Sequence, residues 1–179
     1  MVTYRMEKLG RVLLLSVKIV GVCVSIIVIS TISYCSYTKN PASDKWFREN
    51  YYSKKMEFEE LKKMVCGIPN IKYVQSNGTY NIEAKFNTEI ITKIVELMEN
   101  IGTKSVQVTE GCSISVSIWD IGFAGSGVNK DYAFNVDPSD RKLVQSTDEI
   151  NVRRGEIKEP TFYTLKLDNG WSVSYDIWP

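Results

Sequence analysis

Between Gly122 and Asp131 the chain reads GFAGSGVNKD, bringing three glycines, a serine and a lysine within ten residues. Such a stretch could cradle a phosphate. A P-loop requires G-x-x-x-x-G-K-[ST], because backbone amides wrap the phosphates while the lysine and the hydroxyl complete the contacts. Gly122 and Gly127 have that spacing, but Val128 and Asn129 follow, Lys130 comes two residues late, and DYAFNV beyond it reads as strand. The dinucleotide fingerprint fails as well, since Lys130 stands where its third glycine belongs. The expectation is therefore a bulge or tight turn between strands, with glycines relaxing the backbone, and no nucleotide.

Ser126 and Lys130 raise a second chemistry, the Ser-Lys dyad of hydrolases that work without histidine. No further motif accompanies them. Asp120, Asp131 and Asp137 are candidate acid-base carboxylates, but that chemistry needs two carboxyl groups at a defined separation, which sequence does not set. No catalytic residue is assigned. The chain contains no histidine. Ser-His-Asp and Cys-His activation, histidine bases and imidazole zinc sites are thereby excluded. No C-x-x-C occurs, so a redox catalyst is not expected, and no cofactor or metal is assigned.

Cys66 and Cys112 are the two cysteines downstream of the apolar N-terminal stretch. In an oxidising compartment they are a candidate disulfide; in a reducing one they are two buried thiols. The aromatic residues Trp119, Tyr132, Phe134, Trp171, Tyr175 and Trp178 suit a sheet, and most should be core. Trp119, Lys130, Tyr132 and Trp178 are taken as the candidate binding surface, with Trp178 the most exposed.

These residues need elements to hold them. Ile19 to Thr38 is a run of 20 residues without a charge. As a helix it would span roughly 30 Å, the thickness of a bilayer core. Lys18 can snorkel to one interface, with Tyr34 and Tyr37 at the other. A cleaved signal peptide and a lipidated Cys35 compete with this reading. Against them, no small-x-small site follows, and Tyr34 stands where a lipobox needs a small residue. An uncleaved anchor in the lipid bilayer is expected over 19–38. Basic flanks lie on both sides, and a short basic N-terminus favours residues 39–179 on the far side of the membrane.

After the linker 39–43, Ser43 is a helix cap and Asp44 suits the first turn. Phe47, Tyr51, Phe58, Leu61 and Val65 then mark one face of a helix that Gly67 should end. IKYVQSNGTYNIEA is a hairpin about Asn77-Gly78. A second helix follows, capped by Asn87, lined by Ile91, Ile94, Val95 and Met98 and stopped by Gly102. From there the period becomes two: KSVQV, then Ile114, Val116 and Ile118 alternating with serines, then DYAFNV and a closing hairpin about Asn169-Gly170. Residues 137–160 show no period, with a short strand near KLVQS or EINVRR. The expected fold is α+β: an N-terminal transmembrane helix, then two helices packed on one face of a mainly antiparallel sheet. The domains are 1–38, the linker 39–43 and the soluble unit 44–179.

Net charge is +1 over 179 residues. Arg5, Lys8, Arg11 and Lys18 against Glu7 put +3 in residues 1–38, leaving −2 on the remainder. A slightly acidic domain has little attraction for a polyanion, so nucleic acid is not an expected partner.

AGSGVNKDYAF, the closing YTLKLDNGWSVSYDIW and FEELKKMVCGIPNI together resemble an uncharacterised group of small bacterial proteins with an N-terminal membrane segment. In that group a Gly-Ser-Lys-x-Tyr-Ala-aromatic element precedes a variable loop, and the chain ends in a Gly/Asn-Trp-Tyr strand. The likeness covers most of 45–178. This chain departs from it by inserting Val128 and Asn129 before Lys130 and by carrying Ser172 where Tyr is common. The resemblance implies a bacterial inner-membrane protein with its C-terminal domain in the periplasm, and no established activity. The resulting expectation is a protein-binding module for an unknown envelope partner, contacted through Trp119–Phe134 and 137–160. A membrane-held immunity or inhibitor protein and a histidine-free hydrolase are the alternatives.

Overall fold

A computed structural model describes residues 40–81, 88–123, 126–137 and 139–179, and Val24 alone before them. The expected anchor 19–38, its basic flank and the Asn87 cap lie outside those residues. Among the described residues, no helix is long and apolar enough to cross a membrane.

Residues 41–179 form one compact unit. The fold is α+β, with a mainly antiparallel sheet of eight strands. Helix α1 (Asp44–Ser53) and helix α2 (Lys55–Cys66) take the place of the single helix expected over this stretch. Ser43 caps α1, its Oγ accepting the Trp46 N–H at 3.2 Å. The break falls at Lys54, with φ −122° and ψ 27°. Just before it, the Ser53 hydroxyl donates to the Asn50 carbonyl and competes for a helical acceptor, a known cause of bending. The apolar stripe nevertheless runs unbroken across the bend. Phe47, Tyr51, Phe58, Leu61 and Val65 are all fully buried. Gly67 ends α2 with right-handed φ, so its freedom from Cβ is not what stops the helix.

Strands β1 (Tyr73–Gln75) and β2 (Tyr80–Asn81) form the Asn77-Gly78 hairpin, where Gly78 takes φ 81°. Helix α3 (Thr88–Ile101) buries Ile91, Ile94 and Met98 together with Leu97 and Ile101, while Val95 stays half-buried. Gly102, at φ 87°, turns the chain out of it.

Strands β3 (Ser105–Thr109), β4 (Ser113–Phe123) and β5 (Ser126–Phe134) follow as a meander. The stretch 137–160 contains β6 (Lys142–Leu143) and α4 (Asp148–Val152), so KLVQS holds a short strand and EINVRR is largely helical. Strands β7 (Thr161–Lys166) and β8 (Trp171–Trp178) close the chain, with both Asn169 and Gly170 at positive φ, as an Asn-Gly hairpin requires. The order across the sheet is β2-β1-β3-β4-β5-β8-β7-β6, and β6 beside β7 is its parallel pair.

Register sorts the side chains. Val116, Tyr132 and Val173 lie across from one another in β4, β5 and β8, and share a core with the helix stripe and α3. Tyr163, Tyr175 and Ile177 form a smaller cluster with Val144, Ile150 and Ile157 of the 137–160 stretch. The alternate residues, Ala133, Asp131, Ser174 and Asp176, take the other side of the sheet.

Candidate functional site

The described residues of the Gly122–Asp131 stretch belong to two antiparallel strands, the end of β4 and the start of β5. Gly122 pairs with Gly127, and Phe123 with Ser126. A Cβ on Gly127 would sit 2.9 Å from the Ile121 carbonyl oxygen and 3.0 Å from the Gly122 Cα, so the glycine allows two backbones to approach. Strand, not helix, follows it, and with no helix N-terminus the anion-cradling geometry of a P-loop is missing.

Lys130 is the centre of the site. It is 0% exposed and projects from β5 toward α1. Its Nζ donates to the Ala42 carbonyl at 2.8 Å and lies 2.9 Å from both Asp44 Oδ1 and Asp148 Oδ1, with the Phe47 ring centroid 5.1 Å away. The two acids are cross-tied by helix capping. Asp44 Oδ2 accepts the Thr147 N–H at 2.7 Å and the Asp148 N–H at 3.2 Å, while the Asp148 carboxylate accepts the Asp44 N–H at 2.9 Å. Each carboxylate thus sits at the other helix's N-terminus, where unpaired amides and the helix dipole favour negative charge. Burial resists ionisation of Asp44, but hydrogen bonds from Thr147 and Lys130 and the Lys130 charge outweigh it, holding the carboxyl at about 2. The cluster joins the start of α1, the middle of the sheet and the start of α4.

This arrangement corrects the surface reading of Lys130 and Tyr132. Both are fully buried, so neither can meet a partner. Tyr132 donates its hydroxyl to the Phe47 carbonyl at 2.8 Å and accepts from Asn50 Nδ2 at 3.1 Å, with the Phe47 and Phe58 rings 4.8 and 4.7 Å away. The Lys130 ammonium is not free for the Ser-Lys chemistry either. Ser126 and Lys130 lie four residues apart on one strand, roughly 13 Å at the strand rise, and the ammonium is committed to three oxygens.

A second polar group lies on the opposite side of β5. Between Val116–Tyr132 and Trp119–Lys130, two residues of β4 oppose Asp131 alone, a β-bulge. Asp131 fills it: Oδ1 accepts the Ile118 N–H that the bulge frees, at 3.0 Å, and Oδ2 accepts from Asn129 Nδ2 at 2.9 Å. The bulge also shifts the alternation that β4 begins with, leaving Ile118 only half-buried. Burial raises the Asp131 carboxyl to about 6; the two hydrogen bonds oppose this, and the charges of Asp176 and Asp120 add to it. Beside it, Arg141 reaches across β7 to the Tyr163 carbonyl, Ser174 and Asp176. Asp120 is exposed and Asp137 caps its own turn through the Ser139 N–H at 2.8 Å.

Trp178 is half-buried and stacks edge-on to Phe162 at 5.6 Å, with the Arg141 guanidinium 5.7 Å from the Phe162 centroid. Trp119 is half-buried and pairs with Lys130 across the hairpin. Cys66, at the end of α2, is bonded to Cys112 in the short turn just before β4, with Cα atoms 5.5 Å apart. A groove of about 810 Å³ opens beside the bond, walled by Val65, Ile68, Ile71, Tyr73 and Gln107, and contains neither ionic cluster. Among the described residues, no group of three or more cysteine, aspartate or glutamate side chains is placed to hold a metal ion.

The reciprocal link of Asp44 with Asp148 is absent from the sequence reading, although Ser146-Thr147-Asp148-Glu149 carries a helix-start signature. No family model, curated protein or solved structure matches this chain.

Proposed function

We propose that this protein is a single-pass, N-terminally anchored protein of the bacterial envelope whose α+β domain faces the periplasm and binds a protein partner. The Cys66–Cys112 bond carries the reading. Disulfides persist in oxidising compartments and are rare where thiol reductants prevail. The uncharged run 19–38 and the resemblance to small membrane-anchored bacterial proteins point the same way.

The binding surface we assign is the outer side of β7 and β8 about Phe162, Trp178 and Arg141. Half-buried Trp178 and Phe162, packed edge-on to each other beside Arg141, suit an interface anchor, because little side-chain freedom is lost on docking. Arg141 is already fixed by Asp176 and Ser174.

Two measurements test the two parts. A C-terminally tagged chain should be digested by protease once the outer membrane is opened; protection until the cells are lysed would overturn the periplasmic assignment. A photo-crosslinking residue at position 178 should give one discrete adduct in membranes, while the same residue at position 120 gives none. Equal adducts, or none at either position, would overturn the surface.

A further inference from the structure

The first helix after the apolar run leaves one side of itself bare. On α1, Phe47, Asn50 and Tyr51 are buried, whereas Trp46 is 39% exposed and Tyr52 is 52% exposed; Met56, just past the bend, is 82% exposed. Lys45, Glu49, Tyr52 and Met56 follow one another at helical spacing and form a stripe, with Trp46 on its border. Lys45 and Glu49 pair with each other at 3.8 Å, so the stripe has no net charge. Two large aromatics and a methionine thus stand exposed on α1 and the first turn of α2, on either side of the Lys45–Glu49 pair.

The covalent chain says what lies within reach. From Thr38, the end of the uncharged run, to Asp44, the start of α1, there are six residue steps, at most about 20 Å of extended chain. A bilayer holding 19–38 therefore keeps its headgroup layer within about 25 Å of Trp46. Trp and Tyr prefer that layer, where an apolar ring body and a polar edge are both satisfied. We propose that the exposed side of α1 and of the first turn of α2, carrying Trp46, Tyr52 and Met56, lies in the headgroup layer of the bilayer that anchors the chain, and so sets how the domain stands on the membrane. This rests on the anchor reading above.

The test uses the full-length chain in vesicles of phosphatidylcholine and phosphatidylglycerol, with and without bromine on the lipid chains near the headgroups. Trp46 emission is the difference between the unaltered protein and Trp46→Phe. It should be blue-shifted and should lose most of its intensity in the brominated vesicles. If the chain floats with the vesicles while Trp46 emission is the same in both, the proposal is overturned and the anchor stands. If the chain does not float, the anchor reading falls and this inference with it. Replacing Tyr52→Asp together with Met56→Asp should leave flotation intact and restore Trp46 emission; undiminished quenching would overturn the role of the stripe. A Trp46 shift that grows with protein density in unbrominated vesicles would assign the face to a second copy instead.

Discussion

Lys130 and Asp131 are neighbours in β5, yet they meet opposite fates because a strand sends them to opposite sides of the sheet. Lys130 is buried between Asp44, which is nearly buried, and Asp148, which is partly open to solvent, both carboxylates already fixed by helix amides. Truncating Lys130→Ala leaves Asp44 and Asp148 close together with no counter-charge, and should cost about 3–5 kcal/mol, read as a lower urea midpoint. Asp131 lies in a bulge with its carboxyl raised to about 6 from 3.8. Its folded form therefore binds a proton more tightly than its unfolded form. The stability this contributes is complete below about pH 4 and is lost as pH rises through about 6, a change of roughly 3 kcal/mol at most. Asp44 works in the opposite sense: held at about 2, it contributes stability above pH 4 that is lost as pH falls toward 2. The urea midpoint of the unaltered protein minus that of Asp131→Asn should rise as pH falls from 7 to 4. A constant difference would show that Asp131 is not buried in the bulge.

Among the elements, the hairpin of β4 and β5 and the ends of α1 and α4 carry the tightest constraints. Gly127→Ala would drive a Cβ against the backbone of Ile121 and Gly122, so the hairpin must open or shift. A loss of about 1–3 kcal/mol in thermal or urea unfolding is expected, the usual cost of overpacking. Asp44→Ala removes the acceptor that holds Thr147 and Asp148. Trypsin should then cut faster at Arg153 and Arg154, just beyond α4, while cleavage elsewhere in the sheet is little changed. The helix periodicities, both Asn-Gly hairpins and the alternation at the start of β4 were legible in the sequence, because each follows from spacing within a few residues. The division of the first helix at Lys54 and the bulge at 117–118 were not, since each depends on what a distant element presents there.

For the whole molecule, the Cys66–Cys112 bond closes a separation of 46 residues. Restricting the unfolded chain in this way stabilises by about 4 kcal/mol. Cys66→Ser and Cys112→Ser should each lower the urea midpoint accordingly, and reduction of the unaltered protein should match them. Both cysteines should resist maleimide in cells until a reductant is added; free labelling would count against the oxidising compartment. Composition and local pattern by themselves determined the α+β class, the helix core faces and the absence of imidazole chemistry. These are properties of residue type and short-range period. Tertiary structure alone decided that Lys130 and Tyr132 are interior, that Asp44 and Asp148 cap each other across 104 residues, and that Phe162 and Arg141 stand with Trp178. Burial and pairing of charges depend on which strands become neighbours, and strand order is set by the whole chain collapsing on one core rather than by any segment within it.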